Sequence, residues 1–248
     1  MSRPKVGPKN RPATYEFYRG FEPNQRLAKI GYYAMSKIAN AEVYYEGNAR
    51  AQTGELLDAG AHFILVNNHT SIMDALTIAG LAHSQRVLRC LRGRTVIPSK
   101  DSLFKNPVLR RGIDIMGAIP TFRDDSPEAA QGITDTVIYL MNERGKALAI
   151  DAEGKRNKGD PREMLKLKKG VGHIGLGLSQ DRPLLTLPVG ISYGEGSDKN
   201  LYKPVACIGE PRIGHPTNPT EYVEMLRVDV QRMVDWAFEI TDERAANA

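Results

Sequence analysis

The sequence predicts a single α/β domain with a mostly parallel or mixed sheet flanked by helices, preceded by an N-terminal amphipathic helix. Short apolar runs alternate with longer segments whose apolar residues recur at helical spacing. The 248 residues suffice to bury a substantial core, and no repeat or composition change divides them after the N-terminal region. We therefore expect a disordered basic segment over 1–14, a helical segment over 15–41 and one folded domain over 42–248.

The N-terminal region is basic throughout. Residues 1–14 are rich in proline, lysine and arginine, a composition typical of disorder. Residues 25–41 predict a helix with an apolar stripe on one face. The stripe consists of Leu27, Ile30, Ala34, Ile38 and Ala41. Two interpretations stay open, because such a stripe either packs on the protein's own core or, with basic residues beside it, lies on a membrane surface.

The rest of the chain alternates between strands and helices. Strands are predicted over about 43–46, 62–67, 94–98, 147–150, 184–192 and 204–208. Helices are predicted over about 75–82, 127–144 and 221–240. Because functional sites in open α/β sheets gather beyond the carboxyl ends of the strands, polar residues that follow these strands are candidates for a site.

Composition excludes several classes of protein. The net charge of +5 suits an anionic partner, but aromatic residues do not interleave with lysine and arginine as a nucleic-acid surface requires. Cys90 and Cys207 lie far apart without metal-ligand spacing, so neither a disulfide nor a metal site is expected. No apolar run is long enough to span a bilayer and the start has no signal-peptide core, so we expect a cytoplasmic protein.

A histidine and an aspartate stand where a predicted strand passes into a predicted helix. Residues five apart point to different faces of a helix, so we expect His69 in the turn, with Asp74 reaching back from the first helical turn. This arrangement suits a general base and its orienting carboxylate. Ser71 and Asp74 equally fit a capping box, which would make Asp74 a helix cap. By itself, this segment favours neither interpretation.

Three further blocks follow the histidine. Arg123 lies in the first block, Glu153 and Arg156 lie in the second, and Pro188 lies in the third. Each block ends a predicted strand or turn, so the blocks are expected to converge on His69. Two arginines suit a bidentate grip on a phosphate. Taken singly, each arginine would be interpreted as a surface ion pair, and the glutamate as part of an ordinary turn.

Together these blocks resemble the glycerolipid acyltransferase family, which includes bacterial 1-acylglycerol-3-phosphate acyltransferases. That family has an asparagine-histidine-x4-aspartate block, an arginine after an isoleucine-proline turn, a phenylalanine-proline-glutamate-glycine-threonine-arginine block and a valine-proline-valine block. The chain has its counterparts in the same order, and the match extends over about residues 45–210. The resemblance implies that 42–248 forms an acyltransferase domain.

The resemblance also implies a role for each matching residue. His69 would be the general base and Asp74 its orienting partner. The implied substrate-binding residues are Lys100, Arg123, Glu153, Gly154 and Arg156, with Lys100 and Arg123 near the phosphate and Pro188 shaping the site. The chain departs from the family at Asp151, Ala152 and Lys155, which stand where an aromatic residue, proline and threonine are usual. These departures leave the reaction class unchanged and the acceptor open.

The implied reaction transfers a fatty acyl group from acyl-CoA or acyl carrier protein to the hydroxyl of 1-acylglycerol 3-phosphate in phospholipid synthesis. No cysteine is near the histidine in sequence and Ser71 suits a helix cap, so we expect direct transfer without an acyl-enzyme. We expect no cofactor and no metal. The expected partners are the acyl donor, a phosphorylated glycerolipid acceptor and an anionic membrane surface, without nucleic acid.

The expected location is peripheral, on the inner face of the cell membrane, with the N-terminal basic helix as the contact. Two alternative functions are kept. The first is acylation of another acceptor, either glycerol 3-phosphate or a lysophospholipid with a larger head group. The second is a non-catalytic lipid-binding protein, against which the intact pair of His69 and Asp74 argues.

Overall fold

A computed structural model describes residues 3–122, 126–196 and 199–247. Its α-helices are α1 (Arg11–Gly20), α2 (Gln25–Ile38), α3 (Ala49–Asp58), α4 (Asp74–Ser84), α5 (Pro107–Ile115), α6 (Pro127–Arg144), α7 (Gly170–Gly177) and α8 (Pro219–Ala246). Its strands are β1 (Glu42–Tyr45), β2 (His62–Asn67), β3 (Thr95–Lys100), β4 (Ala118–Thr121), β5 (Ala147–Asp151), β6 (Leu184–Ser192), β7 (Val205–Ile208) and β8 (Arg212–Ile213).

The strands form one mixed sheet in the order β1-β7-β6-β2-β5-β3-β4, with β8 added to β6. Strands β6, β2, β5, β3 and β4 are all parallel to one another. Strand β7 is antiparallel to β6 and carries β1 parallel to itself, and β8 is also antiparallel to β6. The predicted α/β fold with a mostly parallel or mixed sheet flanked by helices is confirmed.

Alternating apolar residues place a core on each face of the sheet. Along β2, Ile64 and Val66 face a core shared with α1, α6, α7 and α8. Phe63 and Leu65 face the opposite core, which is shared with α4 and the segment that follows it. Successive side chains of a strand point to opposite faces, so a strand buried on both sides is a continuous apolar run. This explains why β2 and β6 could be predicted without error in their bounds.

The expectation of disorder over 1–14 is wrong for the residues that the structure describes. Helix α1 begins at Arg11, and Val6 is buried. Tyr15, Phe17 and Tyr18 enter the core, and the Tyr15 ring meets Phe122 edge to face at 5.7 Å between centroids. Aromatic pairs of this kind stabilise beyond the area that they bury. The aromatic side chains therefore order a segment whose proline and basic residues suggested a disordered chain.

Helix α2 buries a different face from the predicted stripe. Its buried residues are Ala28 and Tyr32, and Tyr32 packs with Ala79 and Ala82 of α4. Gly80 lies in the same contact, where an added Cβ would be 3.1 Å from the Ala39 carbonyl oxygen. Small residues on α4 allow the two helices to approach closely on this side. The predicted residues Leu27, Ile30, Ala34 and Ile38 are all exposed, so this face of α2 does not pack on the core. Ala41, the last residue of the predicted stripe, lies beyond the helix and is partly buried against the core.

Strand β3 changes partner midway along its length. Thr95 and Val96 pair with β5, whereas the stretch from Ile97 to Lys100 pairs with β4. The carboxyl end of β3 therefore diverges from that of β5.

Within the described parts of the chain, no helix is both long enough and apolar enough to cross a bilayer.

Candidate active site

The candidate site lies in the loops that follow β2, β5 and β6. His69 stands in the turn after β2, and Asp74 is the first residue of α4. The Nδ1 atom of His69 is 2.8 Å from Oδ2 of Asp74. This is the geometry expected from the sequence, with the aspartate reaching back from the first helical turn to the histidine.

Asp74 is fully buried, and both of its oxygens are hydrogen-bonded. The backbone N–H groups of Thr70 and Ser71 each donate to Oδ2 at 2.9 Å. The Tyr193 hydroxyl donates to Oδ1 at 2.8 Å. The same carboxylate therefore accepts the backbone N–H groups of the turn before α4 and contacts the imidazole of His69, a geometry compatible with both sequence interpretations.

Tyr193 is the residue of this network that sequence reasoning missed. It directly follows β6, the strand beside β2, and its hydroxyl also lies 3.0 Å from Oγ1 of Thr77. Burial and the charge of Asp74 raise the pKa of the tyrosine far above its usual range, so the hydroxyl stays protonated and donates. The available signal was a hydroxyl-bearing aromatic just past the carboxyl end of a buried strand.

The loop after β5 holds His69 by its main chain. Glu153 Oε1 accepts from the His69 backbone N–H at 3.3 Å, and the Asn157 backbone N–H donates to the His69 carbonyl oxygen at 2.6 Å. Gly154 turns the loop between them with a φ of +70°, a conformation that glycine adopts readily. Asp151 adds a second carboxylate, whose Oδ2 lies 3.5 Å from His69 Nδ1.

These groups set the electrostatics of His69. Burial lowers the pKa of the imidazole, but the hydrogen bond to Asp74 and the charge of Asp151 outweigh burial and raise it. Since Asp74 accepts at Nδ1, that nitrogen carries the proton in the neutral ring. The Nε2 atom is thereby left as the basic nitrogen, and the raised pKa makes it a stronger base.

Glu153 is the other perturbed carboxyl group of the site. Burial raises its pKa to about 7, although the hydrogen bond from the His69 backbone and the charge of His69 act in the opposite direction. Among the described residues, its Oε2 atom has no hydrogen-bond partner. A buried carboxyl oxygen without a partner beside the candidate base suits contact with a substrate hydroxyl.

The Glu153→Gln protein is expected to gain stability relative to the parent as pH rises. Below pH 4.5 the carboxyl is protonated in both folded and unfolded chains, so it has no effect. Between pH 4.5 and about 7 only the folded chain keeps the proton, so rising pH costs the parent up to about 3 kcal/mol of unfolding free energy. Urea unfolding between pH 4.5 and 8.5 measures this difference.

The glutamine side chain does not titrate in this range. The stability advantage of the variant over the parent should therefore grow from pH 4.5 to about 7 and level off above that. Glu143→Gln, at an exposed position on α6, is the matched control. A stability difference independent of pH for Glu153→Gln would contradict the expected titration.

The remaining residues predicted to bind substrate are Arg156, Lys100 and Arg123, and they occupy separate parts of the sequence. Arg156 is exposed and lines a cavity together with Thr70 and Ser71. Lys100 is the exposed last residue of β3, in the part of that strand that pairs with β4 rather than with β5. Arg123 lies outside the described residues.

The chain is similar to a known protein family over its central part. The acyltransferase family model matches residues 43–192, which is more than half of the chain. The chain belongs to the acyltransferase family. The predicted resemblance is therefore confirmed, and the matched range includes His69, Asp74, Glu153 and Arg156 of this acyltransferase.

A solved structure similar to this acyltransferase is the crystal structure of the 1-acyl-sn-glycerophosphate (LPA) acyltransferase, PlsC, from Thermotoga maritima. The TM-score is 0.52 at 18% sequence identity, and the match covers 92% of this chain and 81% of that one. At this identity the likeness shows a shared fold. No curated protein matches the acyltransferase sequence.

Proposed function

We propose that this acyltransferase transfers a fatty acyl group from acyl-CoA or acyl carrier protein to the hydroxyl of 1-acylglycerol 3-phosphate in phospholipid synthesis. The observation that carries the proposal is the 2.8 Å contact between His69 Nδ1 and the buried carboxylate of Asp74. The fold shared with PlsC, a 1-acyl-sn-glycerophosphate acyltransferase, supports this choice of acceptor.

In the proposed mechanism, His69 acts as a general base oriented by Asp74. The Nε2 atom takes the proton of the acceptor hydroxyl while the hydroxyl oxygen attacks the thioester carbonyl carbon. The tetrahedral intermediate then collapses, its C–S bond breaks, and the departing sulfur takes the proton from Nε2. Cys207 is buried in β7 and Cys90 lies beyond α4, so neither belongs to the site, which supports direct transfer without an acyl-enzyme.

The substrate-binding roles belong to the same proposal. Glu153 and Gly154 form the turn against His69 and would contact the acceptor, while Arg156 would bind its phosphate. Lys100, at the end of β3, and Arg123 would contribute further positive charge. No cofactor or metal takes part in this reaction scheme.

Thiol release from palmitoyl-CoA tests the proposed function. The purified protein is assayed with 1-acylglycerol 3-phosphate, glycerol 3-phosphate, lysophosphatidylcholine or no acceptor, and again with an acyl carrier protein as donor. We expect 1-acylglycerol 3-phosphate to raise release most. A larger response to either other acceptor would move the function to that acceptor. No response with either donor would leave a non-catalytic lipid-binding protein.

We further propose that the enzyme binds peripherally to an anionic membrane surface, on the inner face of the cell membrane. The exposed apolar face of α2 supports this, since Leu27, Ile30, Tyr33 and Ile38 are all exposed. Exposed basic residues, including Arg26, Lys29 and Lys37, lie on the same helix. An apolar face bordered by basic residues is the pattern of interfacial helices.

Ile30→Asp is expected to reduce flotation of the full-length protein with vesicles that contain anionic lipid. Ile30 is 63% exposed, so its replacement opposes insertion without removing a core contact. Ile213→Asp is the matched control, because Ile213 is 60% exposed in β8, beside the amino-terminal half of β6. Equal flotation of both variants would place the membrane contact elsewhere. Deletion of residues 1–41 would not test the membrane contact alone, because it would also remove the core residues of α1.

A further inference from the structure

A cavity of about 250 Å³ opens beside the candidate base, on the side of β6. Thr70 and Ser71, which directly follow His69 in sequence, form part of its wall. Tyr193, which contacts Asp74, forms another part. A ligand in this cavity would therefore lie next to the reacting groups.

The ionisable groups of the wall are cationic apart from the Tyr193 phenol. Arg156 and Lys158 come from the loop after β5, and Lys199 comes from the segment after β6. None of these three side chains has an ion-pair partner among residues 3–122, 126–196 and 199–247. No carboxylate lines the cavity in the same part of the chain.

Two carboxylates close in sequence to residues of the cavity wall are already paired with an arginine. Glu195 lies just beyond the cavity wall, and its Oε1 accepts from Arg162 Nε at 2.6 Å. Asp242 near the end of α8 accepts from the same guanidinium at 3.0 Å. Arg162 therefore offsets the charge of both carboxylates.

We propose that Lys158 and Lys199 join Arg156 in this cavity to bind the phosphate ester of the acceptor. This inference rests on the proposed function. Three cations without an ion-pair partner in the described part of the chain repel each other around one cavity, and a bound dianion relieves that repulsion. Arginine offers a planar fork for two phosphate oxygens, and lysine adds a compact charge.

The position of the cavity favours the acceptor over the donor as the source of the phosphate. In 1-acylglycerol 3-phosphate, only one further carbon and an ester oxygen separate the carbon that bears the free hydroxyl from phosphorus. In either thioester donor, the whole pantetheine arm separates the reacting carbonyl from the nearest phosphate. Thr70 and Ser71 of the cavity wall directly follow His69 in sequence. The short spacer between the hydroxyl and the phosphate of the acceptor therefore suits the distance from the base to the cavity. The volume is also below the roughly 300–1,000 Å³ of pockets that enclose drug-sized ligands, so it suits a head group rather than a nucleotide.

The test compares the double variant Lys158→Gln/Lys199→Gln with Lys166→Gln/Lys203→Gln, which removes two exposed lysines outside the cavity wall. The Michaelis constants for 1-acylglycerol 3-phosphate and for palmitoyl-CoA are measured separately. We expect the acceptor KM of the first variant to rise about 10- to 100-fold, the donor KM to stay within about 2-fold, and the control to match the parent. Thermal stabilisation by inorganic phosphate, at constant ionic strength, measures binding without turnover.

The two Michaelis constants and the phosphate affinity together decide whether the cavity binds the acceptor's phosphate. A rise confined to the acceptor KM, with apparent phosphate affinity at least about 10-fold weaker, supports it. A rise confined to the palmitoyl-CoA KM would assign the cavity to the donor's phosphate and overturn the acceptor assignment. Unchanged phosphate affinity would overturn the site while leaving acyl transfer intact. If the parent enzyme acylates no acceptor, the proposed function fails, and phosphate binding still decides the cavity.

Discussion

The His69→Ala enzyme is expected to lose about 10²- to 10⁴-fold in kcat/KM for acyl transfer, the range that a general base contributes. The physical reason is the position of the ring. Its Nδ1 atom is committed to Asp74 at 2.8 Å, which leaves Nε2 as the nitrogen available to take a proton. Thiol release with saturating donor and varied acceptor measures the loss.

The fold should survive this change. Asp74 retains its hydrogen bonds from Thr70, Ser71 and Tyr193, so the start of α4 keeps its contacts. His173→Ala, at an exposed position on α7, is the matched control and should retain full activity. Near-normal turnover by a folded His69→Ala protein would show that the proposed mechanism is wrong.

Asp74→Asn is expected to lower kcat by about 10²- to 10⁴-fold, comparable with the loss of the corresponding aspartate in hydrolytic triads. An amide that turns its nitrogen toward His69 favours the ring with its proton on Nε2, which is the wrong tautomer for a base. An amide that turns its oxygen toward the ring must instead place its nitrogen against the Tyr193 hydroxyl. Neither orientation reproduces the carboxylate, so the network weakens in both.

Two comparisons separate orientation of His69 from helix capping by Asp74. Tyr193→Phe removes one donor to the carboxylate and leaves the caps from Thr70 and Ser71, so we expect a smaller fall of about 10-fold in kcat with little change in KM. Tyr202→Phe, at an exposed tyrosine, is its control. If Asp74→Asn lost stability but kept its kcat and its pH profile, the aspartate would be a cap and nothing more.

Local patterns were enough to predict the central strands and the contact between His69 and Asp74. Both depend on residues close in sequence, an apolar run in the first case and a spacing of five residues in the second. The role of Tyr193 was not predictable in this way, because its partner Asp74 lies 119 residues earlier in the chain. Only the adjacency of β6 to β2 brings the two together.

The helices near the amino terminus show a second limit. The stripe on α2 was visible in the sequence, but the side that faces α4 is chosen by the small residues Ala79, Gly80 and Ala82 on the partner helix. The first turn of helix α1 fell in the segment expected to be disordered, because its sequence is basic and proline-rich. Its order comes from distant aromatic partners, Phe104 and Phe122.

The contacts that hold the start of the chain to the domain also affect how the enzyme can be handled. Arg110 donates to the Pro4 carbonyl oxygen at 2.7 Å, and Tyr18 donates to the buried Asp114 at 2.7 Å. An affinity tag fused directly ahead of these residues, or a protease cut within them, would disturb packed surfaces rather than a loose tail. The described residues of the last turn of α8 are exposed from Glu243 onward except for the half-buried Arg244, so the carboxyl end is the side on which to attach a label or a surface linker.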